Sequence, residues 1–129
     1  MSRSSIIPAY KDDQDALSAL ANADEAQIMV AADELLEWLQ DGNWPVSLPI
    51  GEVLAQYVDQ LAPKLVSILQ GYDSAWKYWC IRFLLMNLEL TQIPASIRAE
   101  LTRIVLSPTA NDIAEEAAGA AEELLTGAY

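Results

Sequence analysis

Asp24-Glu25-Ala26-Gln27-Ile28-Met29-Val30-Ala31-Ala32-Asp33-Glu34-Leu35-Leu36-Glu37-Trp38-Leu39-Gln40-Asp41-Gly42-Asn43-Trp44-Pro45 contains a whole helix, its stop signal and the start of the next helix. Asp24 is an N-cap residue, its short carboxylate suited to the free backbone N–H groups of a first turn. Ile28, Ala31, Ala32, Leu35 and Leu39 fall on one stripe at helical spacing, with Glu25, Glu34 and Glu37 off it, which predicts a helix over residues 25–40. Asp41-Gly42-Asn43 ends it, because Gly and Asn tolerate the left-handed backbone that terminates helices. Trp44-Pro45 restarts the chain, since proline fits a first helical turn where its missing N–H is not needed.

Similar signals recur on both sides. A first helix is predicted over residues 13–21, with Leu17 and Leu20 as its apolar points. After Pro45, Val46, Ile50, Val53 and Tyr57 continue one face, with Pro49 in the first turn or kinking it. A fourth helix is expected over residues 63–70, and Gly71-Tyr72-Asp73-Ser74 supplies a turn and an N-cap. The fifth, over residues 75–88, is apolar nearly all round, as a helix surrounded by others would be. Pro94 opens a sixth with Ile97, Leu101 and Ile104 inward. Thr109 with Asp112 reads as a capping box for a last helix over residues 110–126, burying Ile113, Ala117, Ala121 and Leu124. No run alternates long enough to predict a strand.

The expected fold is therefore all-α, with six or seven short antiparallel helices in one domain over residues 1–129 and a flexible or loosely packed segment at 1–11. Trp44-Pro45 and Ala75-Trp76 both start helices, and their tryptophans stand 32 residues apart. Recurrence on that scale marks a short stack of helical hairpins, with a closed irregular bundle as the alternative.

The net charge of −12 is unevenly spread. Residues 12–41 carry nine acids and no base, residues 42–111 carry five of each, and residues 112–129 add five acids. Such a chain repels phosphate backbones, so nucleic acid is not an expected partner, whereas a basic protein would be attracted and its association speeded. The same acids also keep a hydrophobic helical domain soluble. The single cysteine, Cys80, has no intrachain disulfide partner, which fits a reducing compartment. No apolar run approaches a membrane span and the first residues lack a signal-peptide apolar region, so a cytoplasmic location is expected and no membrane contact.

The chain resembles a family of small bacterial proteins known as domain of unknown function 5071. The resemblance rests on Lys11-Asp12-Asp13, on Glu37-Trp38-Leu39-Gln40-Asp41-Gly42-Asn43-Trp44-Pro45-Val46, on Asp73-Ser74-Ala75-Trp76-Lys77-Tyr78-Trp79, and on Ser107-Pro108-Thr109 with its acidic helix. It implies a HEAT-like, right-handed helical stack. It implies no activity and no binding or catalytic residues.

Several chemistries are excluded by residue type. The absence of histidine removes Ser-His-Asp and Cys-His catalysis and the commonest zinc ligand. Cys80 has no second cysteine for a thiolate metal site or a redox pair, and it sits in an apolar stretch that reads as core. There is no Gly-rich phosphate loop. Carboxylate groups at Asp12-Asp13-Asp15 and Asp33-Glu34-Glu37 have the residue types for a divalent cation or acid–base work, but helix acids at this spacing usually form a solvated face. No cofactor and no metal are expected, and no enzyme activity.

Two clusters hold all four tryptophans. Asp41, Asn43 and Trp44 form either a helix stop feeding a Trp-packed helix or an exposed polar-aromatic turn that grips a partner. In the fifth helix, Lys77 and Arg82 lie about 140° apart on an otherwise apolar surface. Each needs a carboxylate or carbonyl partner if buried, with Asp41 or Glu52 as candidates. Alternatively Trp76, Lys77, Tyr78 and Arg82 form a pocket for a small anionic ligand, a binder or weak enzyme. The leading expectation is a non-enzymatic interaction module, in its specific form an immunity or inhibitor protein. Its acidic partner face would comprise Asp33, Glu34 and Glu37 together with Glu115, Glu116, Glu122 and Glu123.

Overall fold

The computed structural model describes residues 5–127, and residues 1–4 of the segment expected to be loosely packed lie outside them. The described residues form eight α-helices and two single 3₁₀ turns, with no strand. The helices are α1 (Gln14–Ala21), α2 (Glu25–Glu37), α3 (Ser47–Ala55), α4 (Val58–Gln70), α5 (Ser74–Phe83), α6 (Ala95–Leu106), α7 (Ala110–Ala114) and α8 (Ala117–Thr126). None is long and apolar enough to cross a membrane.

Helix starts follow local chemistry. Asp13 accepts from the Ala16 N–H, and Asp24 and Gln27 exchange bonds in a reciprocal capping box. Asp73 accepts from the Trp76 N–H, and Thr109 and Asp112 form the capping box expected of them. The ends depend on side chains that follow the helix. α2 stops three residues before the expected Gln40, because the buried Ser47 hydroxyl is shared between the Trp38 carbonyl and the Asp41 carbonyl. α5 stops at Phe83, not Leu88, where the Asn87 amide donates to the Phe83 and Leu84 carbonyls. Both satisfy carbonyls that a helix end leaves open.

Two prolines sit differently from expectation. The third helix starts at Ser47 rather than at Pro45, with Pro49 in its first turn. α4 begins at Val58, five residues before Pro63, which lies inside it. Burial of Val58, Leu61 and Ala62 on the same face as Leu65 and Leu69 outweighs the one backbone bond that Pro63 cannot donate.

The predicted last helix is two. Glu116 takes a left-handed backbone with φ 64° and separates α7 from α8. Asp112, before the break, is fully buried, and Ile113, expected to be buried, is 63% exposed.

The helices pack in two alternating rows. α1 packs on α3 and α3 on α5; α2 packs on α4 and α4 on α6; both rows end on α8. One continuous apolar core runs through them, including Leu35, Leu54, Leu65, Ile81, Leu101 and Leu124. Ile6 and Ile7 pack against that core, and the Lys11 carbonyl accepts from the Val46 N–H. Two glycines permit close crossings. A Cβ on Gly51 would stand 2.3 Å from the Phe83 carbonyl oxygen, and one on Gly42 would stand 2.3 Å from the Trp79 ring. Gly42 thus serves the turn by admitting Trp79, not through a left-handed backbone.

Candidate functional site

α5 divides the aromatic and cationic candidates among three places. Lys77 is only 2% exposed, and its ammonium donates to Asp112 Oδ1 at 2.9 Å. The Ser74 hydroxyl donates to the same oxygen at 2.7 Å, and the Thr109 N–H donates to Asp112 Oδ2 at 3.0 Å. Burial alone would push the Asp112 carboxyl up. Lys77, the Thr109 amide and the Ser74 hydroxyl outweigh it and hold the group down at about 2. This is a satisfied buried ion pair that ties α5 to α7.

Arg82 faces α8. Its guanidinium makes a two-pronged contact with Glu123, at 2.7 and 3.1 Å, and its Nε donates to the Tyr78 hydroxyl at 3.3 Å. The Glu123 bond raises the Arg82 pKa against partial desolvation, and the Arg82 bond lowers that of Glu123. The partner is therefore Glu123 rather than Asp41 or Glu52, and one member of the expected acidic face is held in that half-exposed pair. Tyr78 stays with Arg82, its ring centroid 5.4 Å from the guanidinium carbon. An anionic ligand at Lys77 or Arg82 would have to displace a carboxylate already in place. Burial pushes the Cys80 thiol up, with Asp73 adding to the effect, so the thiol stays protonated.

Trp76 points away from both cations, toward α2. Its indole N–H donates to the Leu36 carbonyl at 2.8 Å. There it lines an open groove of about 720 Å³ between α2, α4 and the turn before α5. Leu36 and Ile68 are the buried floor, Asp33, Glu37 and Asp73 are exposed around it, and Tyr72 is 97% exposed. Lys64 pairs with Asp33 at 2.6 Å at the same groove.

A second, smaller hollow of about 300 Å³ lies beyond α2, lined by Ile7, Pro8, Glu34, Glu37, Trp38 and Trp44. Trp38 and Trp44 meet edge to face with ring centroids 5.2 Å apart. Asp41 and Asn43 shape the approach to Trp44, the Asp41 carboxylate accepting from the Asn43 N–H at 2.8 Å. Glu37 borders both depressions. The structure thus brings Trp76 together with Asp33 and Glu37, and Trp44 together with Glu34 and Glu37. Glu115, Glu116 and Glu122 are exposed on α7–α8, where the rows end, whereas α2 begins its row. Asp13 caps α1, and among the described residues no three acidic side chains converge to hold a metal.

Sequence reasoning missed Asp112 as the buried partner of Lys77, and it missed Tyr72. The requirement for a buried acid was legible in Lys77; which acid met it was not, because the two stand 35 residues apart.

Fold and surface together define an all-α protein of two alternating helical rows whose α2 presents acids between two aromatic depressions. Residues 6–125 match the family described as a domain of unknown function, DUF5071, and the chain belongs to that family. No curated protein matches it.

Proposed function

We propose that this protein is a non-enzymatic interaction module that captures a basic partner protein through the outer face of α2. The observation that carries the reading is the placing of Asp33, Glu34 and Glu37 between the Trp76 groove and the Trp38–Trp44 hollow. Exposed acids steer a basic partner into contact, and half-buried aromatic residues beside them supply the apolar area that holds it. The balance of charge supports the same partner. Among the described residues Lys64, Lys77, Arg82 and Arg103 are each paired with an acid of the chain, while Glu34, Glu37, Glu115, Glu116 and Glu122 make no ion pair. On this reading the alternating rows serve as a short HEAT-like stack, an architecture that offers surfaces to other proteins. In its most specific form the module is a bacterial cytoplasmic immunity or inhibitor protein, and the partner is a basic toxin.

The test is affinity capture at low and high salt, with the triple variant Asp33→Lys, Glu34→Lys, Glu37→Lys alongside. A stoichiometric basic protein, released by salt and lost in the variant, is the expected result. Recovery of the protein alone at low salt, or a partner that the variant retains, refutes the proposal.

A further inference from the structure

We infer that the groove between α2, α4 and the Tyr72-Asp73 turn receives an arginine side chain from a short basic segment of the partner. This rests on the interaction-module reading and adds the place and chemistry of docking. The groove has an apolar floor at Leu36 and Ile68 and a half-buried indole wall at Trp76. Because the Trp76 N–H is already satisfied by the Leu36 carbonyl, the ring is held in place before anything binds, which lowers the ordering cost of association.

The charge left over at the groove is negative. Lys64 is matched to Asp33, whereas Glu37 and Asp73 have no ion-pair partner among the described residues. One oxygen of Asp73 caps α5 through the Trp76 N–H, and among the described residues no hydrogen bond engages the other. Tyr72 stands almost wholly exposed beside them. An arginine stem can lie on the apolar floor while its planar head forks onto a carboxylate and stacks on an aromatic face; a lysine head does only part of this. A second copy of this chain is a poor source of that cation. Among the described residues, only Lys11 and Arg98 lie outside its own ion pairs.

The experiment uses the full-length protein and a fluorescein-labelled peptide carrying two arginines flanked by leucines. A matched peptide carries citrulline, the neutral near-isostere of arginine. Anisotropy titration at low salt should show the arginine peptide binding about tenfold more tightly than the citrulline peptide. Ser67→Arg, at an exposed α4 position lining the groove, should fill the site from within and weaken binding about tenfold. Tyr72→Ala should also weaken it, while Glu34→Lys, outside the groove, should change it less. Circular dichroism melts confirm that each variant folds.

Equal affinity for the two peptides, absence of binding, or indifference to both Ser67→Arg and Tyr72→Ala overturns the inference. So does peptide-independent self-association seen by sedimentation and abolished by Ser67→Arg. If these results occur while the α2 charge reversal still releases a captured basic partner, the interaction-module reading stands and only the groove assignment falls.

Discussion

Replacing Lys77 by Met tests the account of the protein's centre. The substitution preserves much of the side chain's volume and leaves the buried Asp112 carboxylate with only the Ser74 hydroxyl and the Thr109 amide. Removing one partner of a buried pair costs about 3–5 kcal/mol. In a domain of this size that corresponds to a fall in Tm of roughly 10–20 °C. The loss should depend on pH with a definite sign. In the native protein the Asp112 carboxyl lies below its ordinary 3.8, at about 2, a difference worth about 2 kcal/mol. That stabilisation is complete above about pH 4 and is lost as pH falls toward 2. Without Lys77 the carboxyl loses the hydrogen bond and the nearby charge that lower it while burial still raises it, so the variant gains less than the native protein from keeping Asp112 ionised. The gap between native and variant should therefore be widest near neutrality and shrink on acidification. Urea melts followed by far-ultraviolet circular dichroism across that range measure it. A gap under about 1 kcal/mol at neutral pH, or one that widens with acid, would refute the reasoning, since it would mean the pair is solvated.

Three further outcomes are expected. Arg82→Met should lower the Tm by less than Lys77→Met and lose much of its effect at high salt, because the Arg82–Glu123 pair is partly exposed; differential scanning calorimetry at two salt concentrations decides this. Glu116→Gly should stabilise by about 1 kcal/mol by relieving a left-handed backbone at an exposed site, read as a small rise in denaturation midpoint; a fall would show that the Glu116 side chain does something its exposure hides. Gly51→Ala should destabilise by about 1–3 kcal/mol, because its Cβ would enter the Phe83 carbonyl; a neutral result would mean that α3 and α5 separate easily.

Which parts were legible follows from range. Asp24, Asp73 and Thr109 marked helix starts because a cap acts within three residues, and Leu35, Leu65 and Leu101 marked buried faces because helical period is local. The end of α2 was misplaced because Ser47 acts from nine residues beyond Trp38, and that of α5 because a nearly all-apolar run masked the short-range stop at Asn87. Pro63 looked like a start because its backbone effect is local, whereas the burial that carries α4 through it is tertiary. Glu116 gave no sign of its break, since nothing in Glu-Glu-Ala-Ala prefers a left-handed turn. At the candidate groove, the acids of α2 and the aromatic cluster around Trp76 were readable as separate features of the chain. Their meeting at one groove depends on α2 packing on α4, and no spacing in the chain announces that.

The order of synthesis gives the α5 ion pairs another consequence. Asp112 and Glu123 follow Lys77 and Arg82 by 35 and 41 residues. On the ribosome, α1 to α4 can begin to bury their faces as they emerge, but the buried Lys77 of α5 arrives before its Asp112 carboxylate has been made. The middle of the protein cannot become dry until its last quarter has been made. A chain cut before Asp112 would leave Lys77 without its acid in the core, the kind of half-finished packing on which chaperones and proteases act.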